Sequence, residues 1–111
     1  MPGIKNKIYW EAFATKERNL AIDMVKSVIS NNDGFIVNFN MFSDLALTMT
    51  IELPENRIPS LYQDLLSLTI ISQQPPESIN SGSNKDWWVL LNISFKQGEG
   101  NLRSDIPEVP G

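Results

Sequence analysis

The chain of 111 residues contains neither cysteine nor histidine. Without cysteine it can form no disulfide, thiolate nucleophile or sulfur-ligated metal site. Without histidine it also lacks the side chain that most often acts as an acid or base near neutral pH and most often ligates metals. A glycine-rich phosphate loop is missing as well. We therefore expect no catalytic residue of these kinds, no metal and no cofactor, and the sequence favours a protein that is not an enzyme.

Basic residues are also scarce. Nine lysines and arginines stand against 13 acidic residues, which gives a net charge of -4 and a pI near 4.6. Because phosphate backbones are bound by clustered basic side chains, we expect no nucleic-acid partner. No stretch approaches the roughly 20 apolar residues that span a bilayer, and the amino terminus lacks the apolar run of a signal peptide. These features predict a cytoplasmic protein without a membrane partner.

Hydrophobic residues make up 41% of the chain, an ordinary share for a globular domain. The pattern predicts a single domain over residues 1–96. After it, three glycines and two prolines in residues 97–111 predict a flexible carboxy-terminal tail. Residues 73–86 are similarly poor in apolar side chains and carry two prolines, so we expect a mobile surface loop there.

Alternation of side chains predicts four strands. The clearest run covers residues 45–53, where apolar residues at every second position point to one face and more polar residues point to the other. The same alternation predicts strands over about residues 4–14, 35–42 and 87–95. The chain therefore contains enough extended segments for a small sheet.

Apolar residues spaced three and four apart predict two helices. The first runs from Lys16 to about Asn31, with Thr15 as its cap. The second begins near Pro59, which suits a first helical turn, and ends near Leu68. The β-branched residues that follow, 69–71, are suited to a short extended piece. The order of elements is strand, helix, strand, strand, helix, strand.

This order predicts an α+β fold of the ferredoxin-like βαββαβ type. Two right-handed crossovers give a four-stranded antiparallel sheet in the order 4-1-3-2, with both helices on one face. The other face lacks a helical layer and mixes aromatic with polar side chains, which suits a surface covered by a ligand or by a second subunit. The candidate residues on that face are Tyr9, Glu11, Phe13, Asn38, Asn40, Thr48, Trp88 and Asn92.

The element order over about residues 4–95 resembles the ferredoxin-like superfold and, within it, the small ACT-type regulatory domains. The resemblance lies in topology alone. It implies an oligomer that binds an amino-acid effector near a helix start at a subunit interface, here the segment Thr15–Asn19. ACT-type domains usually place an acidic residue, a proline and a glycine between the first strand and the first helix, whereas this chain has Ala-Thr-Lys-Glu-Arg-Asn at residues 14–19.

These features predict a non-enzymatic small-molecule-binding or regulatory module that forms a homodimer through its open sheet face. One alternative is a cofactor-free enzyme, because the fold is similar to that of the dimeric α+β barrels, whose pockets lie on this face. Such a pocket would be lined by Glu11, Asn38, Trp88 and Asn92. A second alternative is a purely structural or interaction protein, which requires no pocket.

Overall fold

A computed structural model describes residues 6–95, and the predicted tail over residues 97–111 lies outside this range. The described chain contains two α-helices and five strands, which confirms the α+β class. In chain order the elements are β1 (Asn6–Ala14), α1 (Arg18–Asn31), β2 (Phe35–Ser43), β3 (Ala46–Pro54), a 3₁₀ turn (Glu55–Arg57), α2 (Ile58–Leu66), β4 (Thr69–Ile71) and β5 (Asp86–Phe95).

The strands form one mixed sheet in the order β2-β3-β5-β1-β4. The predicted four-stranded antiparallel order 4-1-3-2 is therefore wrong. The short strand β4 lies where the prediction placed the last strand, at the edge of the sheet and antiparallel to β1. After β4 the chain returns and inserts β5 between β1 and β3, parallel to β1 and antiparallel to β3.

The apolar character of β5 explains why it takes the central position. Every second residue from Trp87 to Phe95 is buried, and on the other face Trp88 and Leu90 are half-buried. A strand with apolar residues on both faces gains most between two neighbours. By contrast, β4 has three residues and exposes Ile70, so it suits an edge.

Both helices pack against the same face of the sheet, because the buried residues of β1, β3 and β5 all lie on that face and join one core with those of the helices. Neither helix in the described part of the chain has the length and apolarity needed to cross a membrane. The buried helix residues are Ala21, Ile22, Val25, Ile29, Ile58, Leu61, Tyr62 and Leu65.

The strand β2 departs from simple alternation at two bulges. The register to β3 shifts between Ile36 and Asn38 and again between Met41 and Ser43. Each bulge places an extra residue in β2. The alternation of side chains between the two faces of the sheet is therefore shifted by one residue at each bulge. One consequence is that Phe42, the extra residue of the second bulge, is 70% exposed.

The segment between β4 and β5 was expected to be a mobile loop, but several hydrogen bonds anchor it. The Asn80 backbone N–H donates to Glu55 Oε2 at 2.7 Å, and the Asn56 N–H donates to the Ser83 carbonyl at 2.9 Å. At the other end the Tyr62 hydroxyl donates to the Gln73 carbonyl at 2.9 Å. These contacts tie the returning chain to the 3₁₀ turn and to α2.

Candidate functional site

The face of the sheet away from the helices, called here the open face, carries all of the candidate residues named from the sequence. Along β1, β3 and β5 the candidate residues alternate with buried residues, and the buried residues point to the helices. The structure therefore brings the following residues to one face: Tyr9, Glu11, Phe13, Asn38, Asn40, Thr48, Trp88 and Asn92.

Four of these residues form a polar row across the sheet. Asn40 of β2 faces Thr48 of β3, Thr48 faces Asn92 of β5, and Asn92 faces Glu11 of β1. The Thr48 hydroxyl donates to Asn92 Oδ1 at 2.7 Å. This bond orients the amide so that the Asn92 Nδ2 group remains available as a donor beside Glu11.

Glu11 is the charged member of the polar row. Its backbone N–H donates to Gln73 Oε1 at 2.9 Å, so the loop after β4 fixes the strand at this position. The structure shows no hydrogen bond or ion pair for the Glu11 carboxylate within residues 6–95. An exposed carboxylate thus stands next to an oriented amide.

A shallow depression of about 460 Å³ lies over one end of this row. Phe42 forms one wall, since the second bulge of β2 directs its ring outward, and the backbone of the central strands forms the floor. The side chains that border the depression belong to Glu11, Phe42, Ala46, Thr48, Asn92 and Ser94. The depression therefore combines one carboxylate, one amide and two hydroxyls with an aromatic ring.

Two candidate residues, Asn38 and Trp88, lie outside the depression. Asn38 faces Thr50 in the neighbouring row. The Trp88 indole N–H donates to Glu52 Oε1 at 3.0 Å, and the Lys7 ammonium lies 5.7 Å from the Trp88 ring centroid. Trp88 is therefore engaged in contacts within the sheet.

Tyr9 and Phe13 lie on β1 on either side of Glu11. Tyr9 faces Leu90 of β5 and is 64% exposed, and Phe13 faces Ser94. Both rings lie away from the polar centre of the open face, near the edge formed by β1 and β4. They add apolar surface beside the depression without lining it.

The helix start implied by the ACT-type resemblance is closed by the chain's own side chain. Glu17, rather than Thr15, caps α1, and its carboxylate accepts the N–H groups of Asn19 and Leu20 at 3.0 and 3.1 Å. These backbone hydrogen bonds lower the pKa of Glu17. The backbone donors that would hold an effector carboxylate are therefore already used.

A second depression, of about 480 Å³, lies between α1 and α2 on the opposite side of the molecule. Asp23 and Asp64 both border it, but the Asp64 carboxylate accepts a hydrogen bond from Asn32 Nδ2 at 3.0 Å. That contact ties the two helices together. We interpret this cleft as part of the packing between the helices.

Sequence reasoning missed two residues that shape the open face, Phe42 and Gln73. Phe42 is directed outward by a bulge, and Gln73 reaches β1 because the chain returns beside it after β4. Alternation along β2 places Phe42 on the same face as Asn38 and Asn40, but it gives no sign of the bulge at this residue, and it carries no signal for Gln73. Glu11, Thr48 and Asn92 could be predicted from the sequence because each is a polar residue at a regular strand position.

Comparisons with protein-family models, with curated proteins and with solved structures found no match for this chain. The geometry of the open face is therefore the basis for a functional proposal.

Proposed function

We propose that this protein is a non-enzymatic module that binds a small molecule in the depression on the open face. The observation that carries the proposal is the polar row across the sheet, in which the Glu11 carboxylate stands beside the amide of Asn92. A site with a few convergent polar groups beside apolar surface is typical of small-molecule binding. The depression has a volume within the range of such sites.

The bordering groups indicate the chemistry of the ligand. Glu11 contributes a negative charge that accepts hydrogen bonds, and no lysine or arginine of the described chain borders the depression. Phe42 offers the face of an aromatic ring, against which a cation or an apolar group can pack. A small molecule with an ammonium group beside a short apolar part fits this set best. The Asn92 amide adds a donor for an oxygen of the same ligand.

The same geometry favours binding over catalysis. Four of the bordering side chains, those of Glu11, Phe42, Asn92 and Ser94, are exposed, so water has access to the depression. Among residues 6–95, Glu11 is the single ionisable group that borders it. The enzyme alternative requires Asn38 and Trp88 around the same pocket. Trp88 instead hydrogen-bonds to Glu52.

The homodimer through the open face stays a prediction. Interfaces between subunits usually have an apolar centre and a polar rim. On the open face the central strand β5 carries the polar Asn92 together with the half-buried Trp88 and Leu90, so the centre is mixed rather than apolar. Because the depression lies beside Glu11 and Asn92, we assign the ligand, rather than a second copy, to this face.

A thermal-shift screen tests the proposal with amino acids and simple amines as probes, and with small carboxylic acids that lack an amino group as the comparison. A compound at 100 times its dissociation constant adds about 2.7 kcal/mol to the stability of the folded state. For a domain of this size, that raises Tm by about 10 °C or more. We expect a shift from compounds with an ammonium group and none from the simple acids.

Glu11→Gln removes the charge while keeping the shape of the side chain. We expect this variant to lose the shift, since the ammonium group no longer meets a carboxylate. Glu77→Gln is the matched control, because Glu77 is an exposed glutamate on the loop between β4 and β5. The proposal fails if no probe raises Tm, or if Glu11→Gln keeps the full shift.

A further inference from the structure

The strand β2 lies at the end of the strand order, so one of its backbone edges has no strand partner among residues 6–95. Natural sheets usually protect such edges with charged residues, prolines, short strands or bulges. The nine residues of β2 read Phe-Ile-Val-Asn-Phe-Asn-Met-Phe-Ser and include no charged residue and no proline. The two bulges flank residues 38–41, so this central part of the edge lacks the usual protection against pairing with another strand.

Large apolar side chains are exposed along the same strand. Their exposed fractions run from 37% for Phe39 to 70% for Phe42. On the helix side the Lys26 ammonium lies 5.4 Å from the Phe39 ring centroid, and the ring is still partly exposed. The exposed apolar residues of β2 are Phe35, Val37, Phe39, Met41 and Phe42.

A local hydrogen bond marks the middle of this edge. Asn38 Oδ1 accepts the backbone N–H of Phe39 at 2.9 Å. Side chains of asparagine form such local bonds where the backbone has no better partner. The contact indicates that the Phe39 N–H points away from β3, toward the unpartnered edge, where a strand beside β2 would displace the Asn38 side chain.

We propose that two copies of this chain associate through their β2 strands, which pair antiparallel about a two-fold axis beside Phe39. The two five-stranded sheets then join into one. In this register Phe39 faces Phe39 of the partner subunit on the helix side, and Asn38 faces the partner's Asn40 on the open side. Val37 faces the partner's Met41. In this register apolar side chains thus face apolar side chains, and asparagines face asparagines.

The near-symmetric order Val-Asn-Phe-Asn-Met over residues 37–41 favours a second copy as the occupant. The net charge of -4 on each chain opposes association, but β2 is uncharged, so the paired strands themselves bring no like charges together. Phe42 lines the depression and is left out of the dimer surface. With roughly 200 Å² for a phenylalanine, the other exposed apolar side chains of β2 offer roughly 350 Å² per copy. Two copies together bury roughly 700 Å² of apolar side-chain surface, to which the paired backbone edges add, so we expect a weak dimer.

This arrangement leaves the open face accessible. A two-fold axis perpendicular to the sheet places the open faces of both copies on the same side. The depression beside Glu11 lies toward the centre of each sheet, and Phe42 is the residue of β2 that borders it. The dimer proposal does not depend on the ligand proposal, and each is tested separately.

Light scattering after size exclusion tests the dimer at about 100 µM protein. The expected mass is twice the chain mass of 12.5 kDa. The double variant Val37→Lys, Met41→Lys should be monomeric, because each new ammonium group faces a like charge across the two-fold axis. Both positions are exposed, so we expect the variant to keep its circular dichroism spectrum. Tyr9→Lys makes the same kind of change on the exposed side of β1 and should leave the dimer intact.

Charge exchange makes the test specific for this register. The double variant Val37→Glu, Met41→Glu should be monomeric alone and should form a heterodimer when mixed with the lysine variant, because opposite charges then face each other. Amide exchange gives a readout that needs no variant: exchange of the β2 amides should slow as the wild-type concentration rises. A monomeric wild type, a lysine variant that still dimerises, or loss of the dimer in Tyr9→Lys would each overturn the proposal.

Discussion

At the scale of single residues, Glu55 is the one acidic or basic side chain among residues 6–95 that is buried. It is 6% exposed, and its carboxylate accepts the Asn80 N–H of the loop between β4 and β5. The Asn80 bond, assisted by Ser83, holds the pKa of Glu55 below its ordinary value, although burial acts in the opposite direction. The ionised form therefore holds the returning chain against the 3₁₀ turn.

This geometry predicts a pH-dependent effect of Glu55→Gln. Because the folded pKa is the lower one, ionised Glu55 stabilises the folded state above the pKa it has in the unfolded chain, and this contribution disappears as the pH falls through the folded pKa. We expect the variant to melt at a lower temperature than the wild type at pH 7, and the difference to shrink in acid. Thermal melts across pH, with Glu77→Gln as the control, measure this. A difference independent of pH would contradict it.

At the scale of elements, sequence periodicity was sufficient for most strands and helices and insufficient for their arrangement. Alternation is local, so β1, β3 and β5 were found near their true positions. The start of α1 was placed too early, because Glu17 competes with Thr15 as the cap and accepts two backbone N–H groups. Whether β4 or β5 lies next to β1 depends on contacts between distant parts of the chain, and periodicity carries no information about them.

The candidate site shows the same limit. Thr48 and Asn92 fall on one face because each strand alternates, and this was visible in the sequence. Their direct contact requires β5 to lie beside β3, whereas the predicted order placed β1 there. Alternation places Phe42 on the face of Asn38 and Asn40, but the bulge that leaves it without a partner on β3 cannot be read from the sequence.

The link between α2 and the loop gives a prediction at the element scale. The half-buried bond from the Tyr62 hydroxyl to the Gln73 carbonyl fixes the point where the chain leaves β4. Tyr62→Phe keeps the ring and removes this bond, which should cost about 1 kcal/mol of unfolding free energy. Urea unfolding measures the loss, and amide exchange should become faster in residues 72–85.

Tyr9→Phe serves as the matched control, since the Tyr9 side chain lies exposed on the open face. It should change the free energy of unfolding by less than about 0.5 kcal/mol. Equal losses in both variants would show that the hydroxyl of Tyr62 does not hold the loop.

At the scale of the whole molecule, the centre of the sheet pairs strands from opposite ends of the described chain. The parallel pairing of β1 with β5 joins Asn6 to Trp87 and Ala14 to Phe95. Because β5 also pairs with β3 along its whole length, both halves of the sheet depend on it. Such non-local pairing requires most of the chain to be ordered at once, so we expect folding in milliseconds to seconds.

The central position of β5 predicts that the protein can be assembled from two fragments. Residues 1–82 lack β5, so β1 and β3 have no common neighbour and the apolar face of the sheet stays incomplete; this fragment should be unfolded alone. Adding a peptide of residues 83–111 should restore the circular dichroism of the intact chain. Trp87 is buried in the folded sheet, so its fluorescence should shift to the blue on assembly. A peptide with Leu91→Lys should fail, because Leu91 is fully buried and a lysine there has no partner. Cooperative unfolding of residues 1–82 alone would show that β5 is an accessory strand rather than the centre of the fold.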